Sequence, residues 1–367
     1  MTPSATTNMP NPGVSTRGSF RPVLLFFIAG LLETLLAYFI FSRADDHEYF
    51  LELANLGLSA IPDFIQDIQY LKAKMAGLVF YTLASPSRWL GGHELVHLLW
   101  LRGLTLAGFL AAFSWFQHMV APRASPARRQ QASTTFMTLV LLYPGQLAWT
   151  ASLLRDGVAT ALFFFGLACL RKDFRLMLTL PLFGASFALR PEYSLILFSL
   201  ILALTLHRLL ARVSSRVLTM ILALLVFSIA THSVQVQSAT FAQLAFSDGG
   251  MAYPLINGPF DLSGYLRVLL QGVLDPIALD APQLNAFGVI DSAFFVYVLW
   301  QSRNLLRHRS TVVAALGSAL LFGLWAFAYF EIYVSGFSRH RLCLQVALLA
   351  LIAICHVRPP ALRHIAT

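Results

Sequence analysis

The chain has 367 residues, of which 57% are hydrophobic and 12% charged, and its mean hydropathy is +0.68. This composition excludes an ordinary soluble globular protein. The formal net charge of +9 does not indicate nucleic-acid binding, because the basic residues gather in short loops between apolar runs, as the positive-inside pattern of membrane proteins requires.

The elements in chain order predict an all-α polytopic membrane protein with about ten transmembrane helices and no soluble domain, since a hydrocarbon layer about 30 Å thick is crossed by helices of about 20 residues. Residues 1–20 are interpreted as a disordered cytoplasmic tail, residues 21–357 as a single transmembrane domain and residues 358–367 as a second cytoplasmic tail. Outer loops with interfacial helices are expected at 43–74 and 231–282.

The first span ends near Phe41, and Ser85-Pro86-Ser87 is expected to break a short apolar piece before the second span. Later spans are predicted at about 92–116, 134–149, 153–170, 176–188, 194–210, 217–229, 287–300, 312–333 and 342–357.

The first outer loop opens with an acidic stretch in which Asp45, Asp46, Glu48 and Glu52 lie close together. If the stretch begins a helix, Asp45, Glu48 and Glu52 share one face, with Tyr49 beside them. A carboxylate in a membrane-shielded cleft can act as a general base on a sugar hydroxyl, and two carboxylates can hold a divalent cation such as Mg or Mn. The alternative is an N-cap with first-turn acids, which explains one or two of the four acids.

A second group of residues consists of basic side chains on the predicted outer face, where the positive-inside rule disfavours them. They are Arg155, Arg190, Arg339 and Arg341, together with His340. We predict that they converge on a phosphate or diphosphate, which guanidinium groups fit geometrically. The alternative is snorkelling at helix ends, with Arg155 satisfied by Asp156 and Arg190 by Glu192.

The run from His93 to His97 has the letters H-E-x-x-H of a zinc-protease helix, in which both histidines bind zinc and Glu94 activates water. An intramembrane protease also needs a distant carboxylate ligand, for which Asp156-Gly157 and Asp248-Gly249 are available, but the Asn-Pro surroundings of that family are absent. A metal site at His93, Glu94 and His97 therefore stays an alternative to a structural or supporting role.

Arg102 lies in the middle of the second predicted span. A charge at this depth is costly and faces a cavity or a partner. Glu33 and Glu94 are the candidate partners.

The layout resembles the GT-C superfamily of membrane glycosyltransferases, which carry an acidic motif directly after the first helix. The run Asp45-Asp46-His47-Glu48-Tyr49 looks like that motif. The runs 143–156, 189–193 and 339–341 are similar to the outer-face positions of bacterial envelope-polysaccharide members, and the chain also resembles Wzy-like polysaccharide polymerases.

This resemblance implies an enzyme of the bacterial inner membrane that moves a sugar from a polyprenyl phosphate or diphosphate carrier to a glycan or lipid acceptor on the non-cytoplasmic face. Asp45, Asp46 and Glu48 are then the catalytic residues. The expected substrate-binding residues are Tyr49, Arg155, Asp156, Arg190, Glu192, Arg339, His340 and Arg341. A transporter whose charged clusters gate a substrate is the remaining alternative.

Overall fold

The computed structural model of the chain describes residues 20–40, 47–56, 71–146, 155–170, 176–190, 193–209, 263, 282–308, 310–330 and 341–356. Within these ranges every regular element is helical, which confirms the all-α prediction. Two of the described helices are long and apolar enough to cross a membrane. Both predicted tails, the predicted span 217–229 and most of the segment 231–282 lie outside the described residues.

The helices of the described ranges are numbered here in chain order. They are α1 (Phe20–Ile40), α2 (His47–Asn55), α3 (Leu71–Trp89), α4 (Glu94–Val120), α5 (Pro126–Leu141), α6 (Arg155–Cys169), α7 (Leu176–Leu189), α8 (Tyr193–Leu209), α9 (Pro282–Leu306), α10 (Thr311–Phe330) and α11 (Leu342–His356).

The expected break at Ser85-Pro86-Ser87 is wrong, because α3 continues through Pro86 to Trp89. Proline leaves the carbonyl four residues earlier without its helical donor. Here the Ser85 hydroxyl donates to the Thr82 carbonyl at 2.8 Å and replaces that donor. The helix ends instead at Gly91 and Gly92, whose φ angles of 113° and 64° belong to the left-handed region that glycine tolerates.

Helix α11 is the centre of the bundle. Every residue from Leu342 to Ile354 is buried, which fits a helix that is apolar on all sides. Helices α4, α5, α6, α9 and α10 pack around it. Arg341 directly precedes this helix, so the fold places a charged residue at the start of the buried central helix.

The outer helices expose broad apolar faces. Helix α1 presents Leu25, Leu32 and Leu36, and α7 presents Met177 and Leu180, all of them more than half exposed. Soluble monomers rarely expose contiguous apolar patches of this kind. These faces therefore suit contact with lipid chains.

Two helix pairings show how neighbouring helices run relative to one another. Helix α1 runs antiparallel to α4, because Gly30 lies against Leu106 while Glu33 lies beside Arg102. Helices α4 and α6 run parallel, because Thr105 lies against Gly157 and Gly108 against Ala161.

At one end of the bundle, which we call the basic end, a cleft of about 370 Å³ is lined by residues that include Arg123, Arg128, His308 and Ser310. The end of α11 reaches the same cleft through Ile354 and Cys355. Two loops that the sequence predicts to be on the inner side thus lie together at this end. The opposite end, where α6, α8 and α11 begin and α7 ends, is called the ion-pair end.

Gly108 allows the close approach of α4 and α6, because a Cβ atom at this position would lie 2.6 Å from the Ala161 Cβ and nearer still to its backbone. We expect Gly108→Ala to lower the free energy of unfolding by about 1–3 kcal/mol through overpacking. The measurement is the thermal unfolding midpoint of the purified protein in detergent. Gly103→Ala is the matched control, because no atom lies within 4 Å of its Cβ position; equal midpoints for the two variants would contradict the predicted clash.

Candidate functional site

Two buried ion pairs dominate the ion-pair end. Asp156, in the first turn of α6, pairs with Arg190, which follows α7. Asp291, within α9, pairs with Arg341 at the start of α11. All four side chains are buried, and a buried charge is tolerated only when it is paired. The pairs therefore tie four helix segments together at one end of the bundle.

Aromatic rings and a glycine surround the second pair. The Arg341 guanidinium lies 4.1 Å from the centroid of the Phe295 ring. The Tyr143 hydroxyl lies near the same pair, and its ring stacks on Phe294 with centroids 5.6 Å apart. A Cβ atom at Gly145 would come within 2.6 Å of Asp291 Oδ1. Only glycine therefore lets the chain after α5 pass this closely over the carboxylate.

Tyr193 lies beside the first ion pair. Its hydroxyl is hydrogen-bonded to Thr160 Oγ1 at 2.9 Å, which joins α8 to α6. The same side chain is within electrostatic reach of Asp156, Arg190 and Cys343, the last of which lies in the first turn of α11. We refer to the two ion pairs and Tyr193 together as the polar cluster; its residues come from the starts of α6, α8 and α11, from the end of α7 and from the middle of α9.

Several predicted site residues are members of these ion pairs. Asp156 pairs with Arg190, and Arg341 pairs with Asp291, so the structure gives each of these charges a protein partner. Arg155 is half-buried beside Asp156 and is a member of neither pair. The predicted residues Asp45, Asp46, Glu192, Arg339 and His340 lie outside the described residues.

The acidic helix α2 lies next to the same cluster. Tyr49 interacts electrostatically with Arg155, while Glu48 on the same helix is exposed. Burial raises the pKa of the Tyr49 hydroxyl; Arg155 opposes this rise and Glu52 adds to it. The described part of the acidic stretch and the start of α6 therefore share one site.

The pairing of charges differs from the snorkelling alternative. In that alternative Asp156 neutralises its neighbour Arg155, whereas in the structure it pairs with Arg190, which is distant in sequence. Sequence reasoning missed Asp291 altogether. The signal was available, because an acid inside a long apolar run needs a partner or a function.

The first two residues of the H-E-x-x-H run have structural partners. The His93 ring caps α4 and accepts a hydrogen bond from the Leu95 amide at 3.2 Å. Glu94 Oε1 lies 3.1 Å from Nε2 of His47, the first residue of α2. Neither side chain needs a metal to explain its position.

The third residue of the run, His97, is fully buried between three helices. Its Nδ1 lies 2.5 Å from the Ser87 hydroxyl and its Nε2 lies 2.9 Å from Asn55 Oδ1. The Ser87 hydroxyl in turn donates to the Ala84 carbonyl at 2.6 Å. Both ring nitrogens of His97 therefore have polar partners. Across the described ranges, no three His, Cys, Asp or Glu side chains form a group that could hold a metal ion.

Arg102 has the partner that the sequence indicated. Its guanidinium lies 3.8 Å from Glu33 Oε2, and its Nε donates to the Gly30 carbonyl at 3.5 Å. The charge is thus neutralised between α1 and α4.

Gln345 lies one turn along α11 from Arg341 and is fully buried. Among the described residues, neither atom of its amide has a hydrogen-bond partner. Oε1 of the buried Gln146 also has no hydrogen-bond partner among the described residues, whereas its Nε2 donates to the Val140 carbonyl at 2.5 Å. Polar atoms of this kind in an apolar bundle bind water or polar atoms of a ligand.

No family model, curated protein or solved structure matches this chain.

We expect Asp291→Asn to lower the free energy of unfolding by about 3–5 kcal/mol, because it leaves the Arg341 charge buried without its counter-ion. The double variant Asp291→Leu/Arg341→Met should regain most of this loss. Thermal unfolding midpoints in detergent provide the measurement. Arg307→Ala, an exposed arginine at the basic end of α9, is the control and should change stability by less than about 0.5 kcal/mol. A double variant less stable than the single one would contradict the pairing.

We expect Gln345→Leu to raise the free energy of unfolding by about 1–3 kcal/mol, because it removes an unpaired amide and keeps the volume of the side chain. Thermal unfolding of the ligand-free protein provides the test. Gln301→Leu, at a partly exposed position on α9, controls for added hydrophobicity. A fall in stability for Gln345→Leu alone would show that the amide is satisfied in the folded protein.

Proposed function

We propose that the chain is a multi-pass membrane glycosyltransferase that moves a sugar from a polyprenyl phosphate or diphosphate carrier to a glycan or lipid acceptor. The observation that carries this proposal is the electrostatic interaction between Tyr49, on the acidic helix α2, and Arg155 at the start of α6, beside the Asp156–Arg190 pair. Carboxylates and a guanidinium at one site are what deprotonation of a sugar hydroxyl and departure of a phosphate both require.

The distribution of charge supports an orientation. Arg123, Arg128 and Arg307 lie at the basic end or in its loops, so this end belongs on the cytoplasmic side by the positive-inside rule. The ion-pair end then faces the opposite side of a bacterial inner membrane. In this proposal about ten spans make up the full bundle.

The proposed reaction is a single displacement. A carboxylate of the acidic stretch, Asp45 or Asp46 with Glu48 nearby, takes the proton of the acceptor hydroxyl. The acceptor oxygen forms a bond to the anomeric carbon while the bond from that carbon to the carrier phosphate breaks. The phosphate leaves with the electron pair, and the anomeric configuration is inverted.

The arginines divide into two groups in this mechanism. Arg190 and Arg341 already face carboxylates in buried pairs, so their first task is to hold helix ends together. Arg155, at the partly exposed start of α6, is assigned the first contact with the leaving phosphate, supported by Arg339 and His340. A Mg or Mn ion, where the reaction uses one, has its place at the acidic stretch, whose carboxylates are suitable ligands.

The polymerase variant of this proposal uses the same site and the same class of donor. It differs in the acceptor, which is a growing glycan chain, and so in product length. A transporter differs more sharply, because it moves the lipid-linked or free sugar without breaking the bond to phosphate.

The purified protein is incubated with a panel of polyprenyl-linked sugars, and release of the lipid phosphate is measured. Asp45→Asn/Asp46→Asn should lower the rate about 10²–10⁴-fold, because the general base is lost. Arg155→Ala should lower it as well, with partial recovery in Arg155→Lys. The matched control is Arg123→Ala, an exposed arginine at the basic end, which should keep the wild-type rate.

Full activity of the double Asp variant would remove the acidic stretch from the mechanism. Movement of an intact lipid-linked sugar across liposomes, without phosphate release, would replace the enzyme by a transporter.

A further inference from the structure

Helix α2 packs on the hairpin formed by α3 and α4 through an apolar face. Leu53 and Ala54 are buried, and the rings of Phe50 and Phe80 lie 4.6 Å apart between centroids. A helix of nine residues is too short to be stable alone. Its position therefore depends on what holds it to the hairpin.

Polar contacts fix both ends of α2. At its start, His47 Nε2 lies 3.1 Å from Glu94 Oε1 on α4. At its end, the Arg88 guanidinium of α3 donates to the carbonyls of Ala54 at 3.1 Å and Leu56 at 3.2 Å. A cation at this place satisfies the last carbonyls of the helix and interacts favourably with the negative end of the helix dipole.

His97 is the third contact and joins all three helices. Its Nδ1 lies 2.5 Å from the Ser87 hydroxyl oxygen of α3, and its Nε2 lies 2.9 Å from Oδ1 of Asn55, the last residue of α2. The turn at Gly91 and Gly92 makes this meeting possible, since it folds α4 back along α3.

The order Ser87, His97, Asn55 has the form of a nucleophile, a base and an orienting group, but it is not a nucleophilic site. Ser87 and His97 are both fully buried, so a substrate does not reach the hydroxyl. The Ser87 hydroxyl also lies 2.6 Å from the Ala84 carbonyl of its own helix. The geometry serves to fix α2.

We propose that Glu94, His97 and Arg88 are positioning residues that hold the acidic helix α2 on α3 and α4, where Tyr49 interacts electrostatically with Arg155. The His47–Glu94 pair fixes the first residue of α2, which follows the proposed base Asp46 directly in the sequence. The H-E-x-x-H run thus docks a helix in place of binding zinc. The docking of α2 on α3 and α4 does not depend on which reaction the protein catalyses. Its effect on catalysis rests on the proposed glycosyltransferase function.

The first measurement is hydrogen–deuterium exchange of the full-length protein in detergent. In Glu94→Ala and His97→Ala, the amides of α2 should exchange about tenfold faster or more, while those of α6 and α11 keep the wild-type rate. Asn55→Ala removes the same contact from the exposed side and leaves His97 in place, so it tests docking even where His97→Ala fails to fold. His118→Ala, at the other end of α4, is the matched control.

The second measurement is steady-state kinetics with a lipid-linked sugar donor. Glu94→Ala and Asn55→Ala should lower kcat about tenfold or more and change KM for the donor less than about twofold, because a displaced base affects the chemical step more than donor binding. The double variant Asn55→Ala/His97→Ala should be no slower than His97→Ala, since both changes remove one contact. Glu94→Asp should recover part of kcat.

Unchanged exchange in α2 for Glu94→Ala and Asn55→Ala would overturn the docking. Faster exchange with unchanged kcat would overturn the positioning role. A wild-type protein that transfers no sugar from any donor would refute the proposed function, and the exchange result would still stand on its own.

Discussion

The need to neutralise charge inside an apolar bundle organises this protein. Asp156 pairs with Arg190 and Asp291 with Arg341; all four are buried, and all but Asp291 lie where a helix begins or ends. Because an isolated charge in such surroundings costs several kcal/mol, each pair restricts where its two helices can sit. The pairs connect helix segments that are far apart in sequence. The two ion pairs therefore fix the helix segments at the ion-pair end relative to one another.

The bundle supports this end through close packing. Helix α11 is buried from Leu342 to Ile354, and Arg341 directly precedes it. The Arg341 charge is therefore held at a fixed depth in the bundle. Helices α4 and α6 approach closely at Gly108, which sets the level of Arg155 and Asp156 relative to α4. The short acidic helix α2 then docks on α3 and α4, and its Tyr49 interacts electrostatically with Arg155. Catalytic geometry, in this account, follows from packing that lies outside the site.

Sequence reasoning predicted the helices well, because apolar runs of membrane length dominate the pattern. It placed α6, α7, α8 and α11 within a few residues and named Glu33 and Glu94 as candidate partners of Arg102, of which the structure shows Glu33. It failed at Pro86, where serine hydroxyls replace the missing donor and keep the helix intact.

The charge pairs were harder to predict, because they join residues distant in sequence and depend on which helices are neighbours. Local reasoning offered Arg155 with Asp156, whereas the fold pairs Asp156 with Arg190. Likewise, the letters of H-E-x-x-H specify a helix face but not its partners. Only the structure shows that Glu94 meets His47 and that His97 meets Asn55.

The central claim is that the acidic helix and Arg155 meet at the non-cytoplasmic end of the bundle. The most direct test replaces Tyr49 and Arg155 by cysteine in a variant whose Cys169, Cys343 and Cys355 are alanine, and treats right-side-out vesicles with a short, membrane-impermeant thiol cross-linker. The account predicts that the pair is cross-linked from outside, while a Tyr49→Cys/Arg123→Cys pair is not. Absence of the first cross-link, or its formation only in inside-out vesicles, would contradict the account.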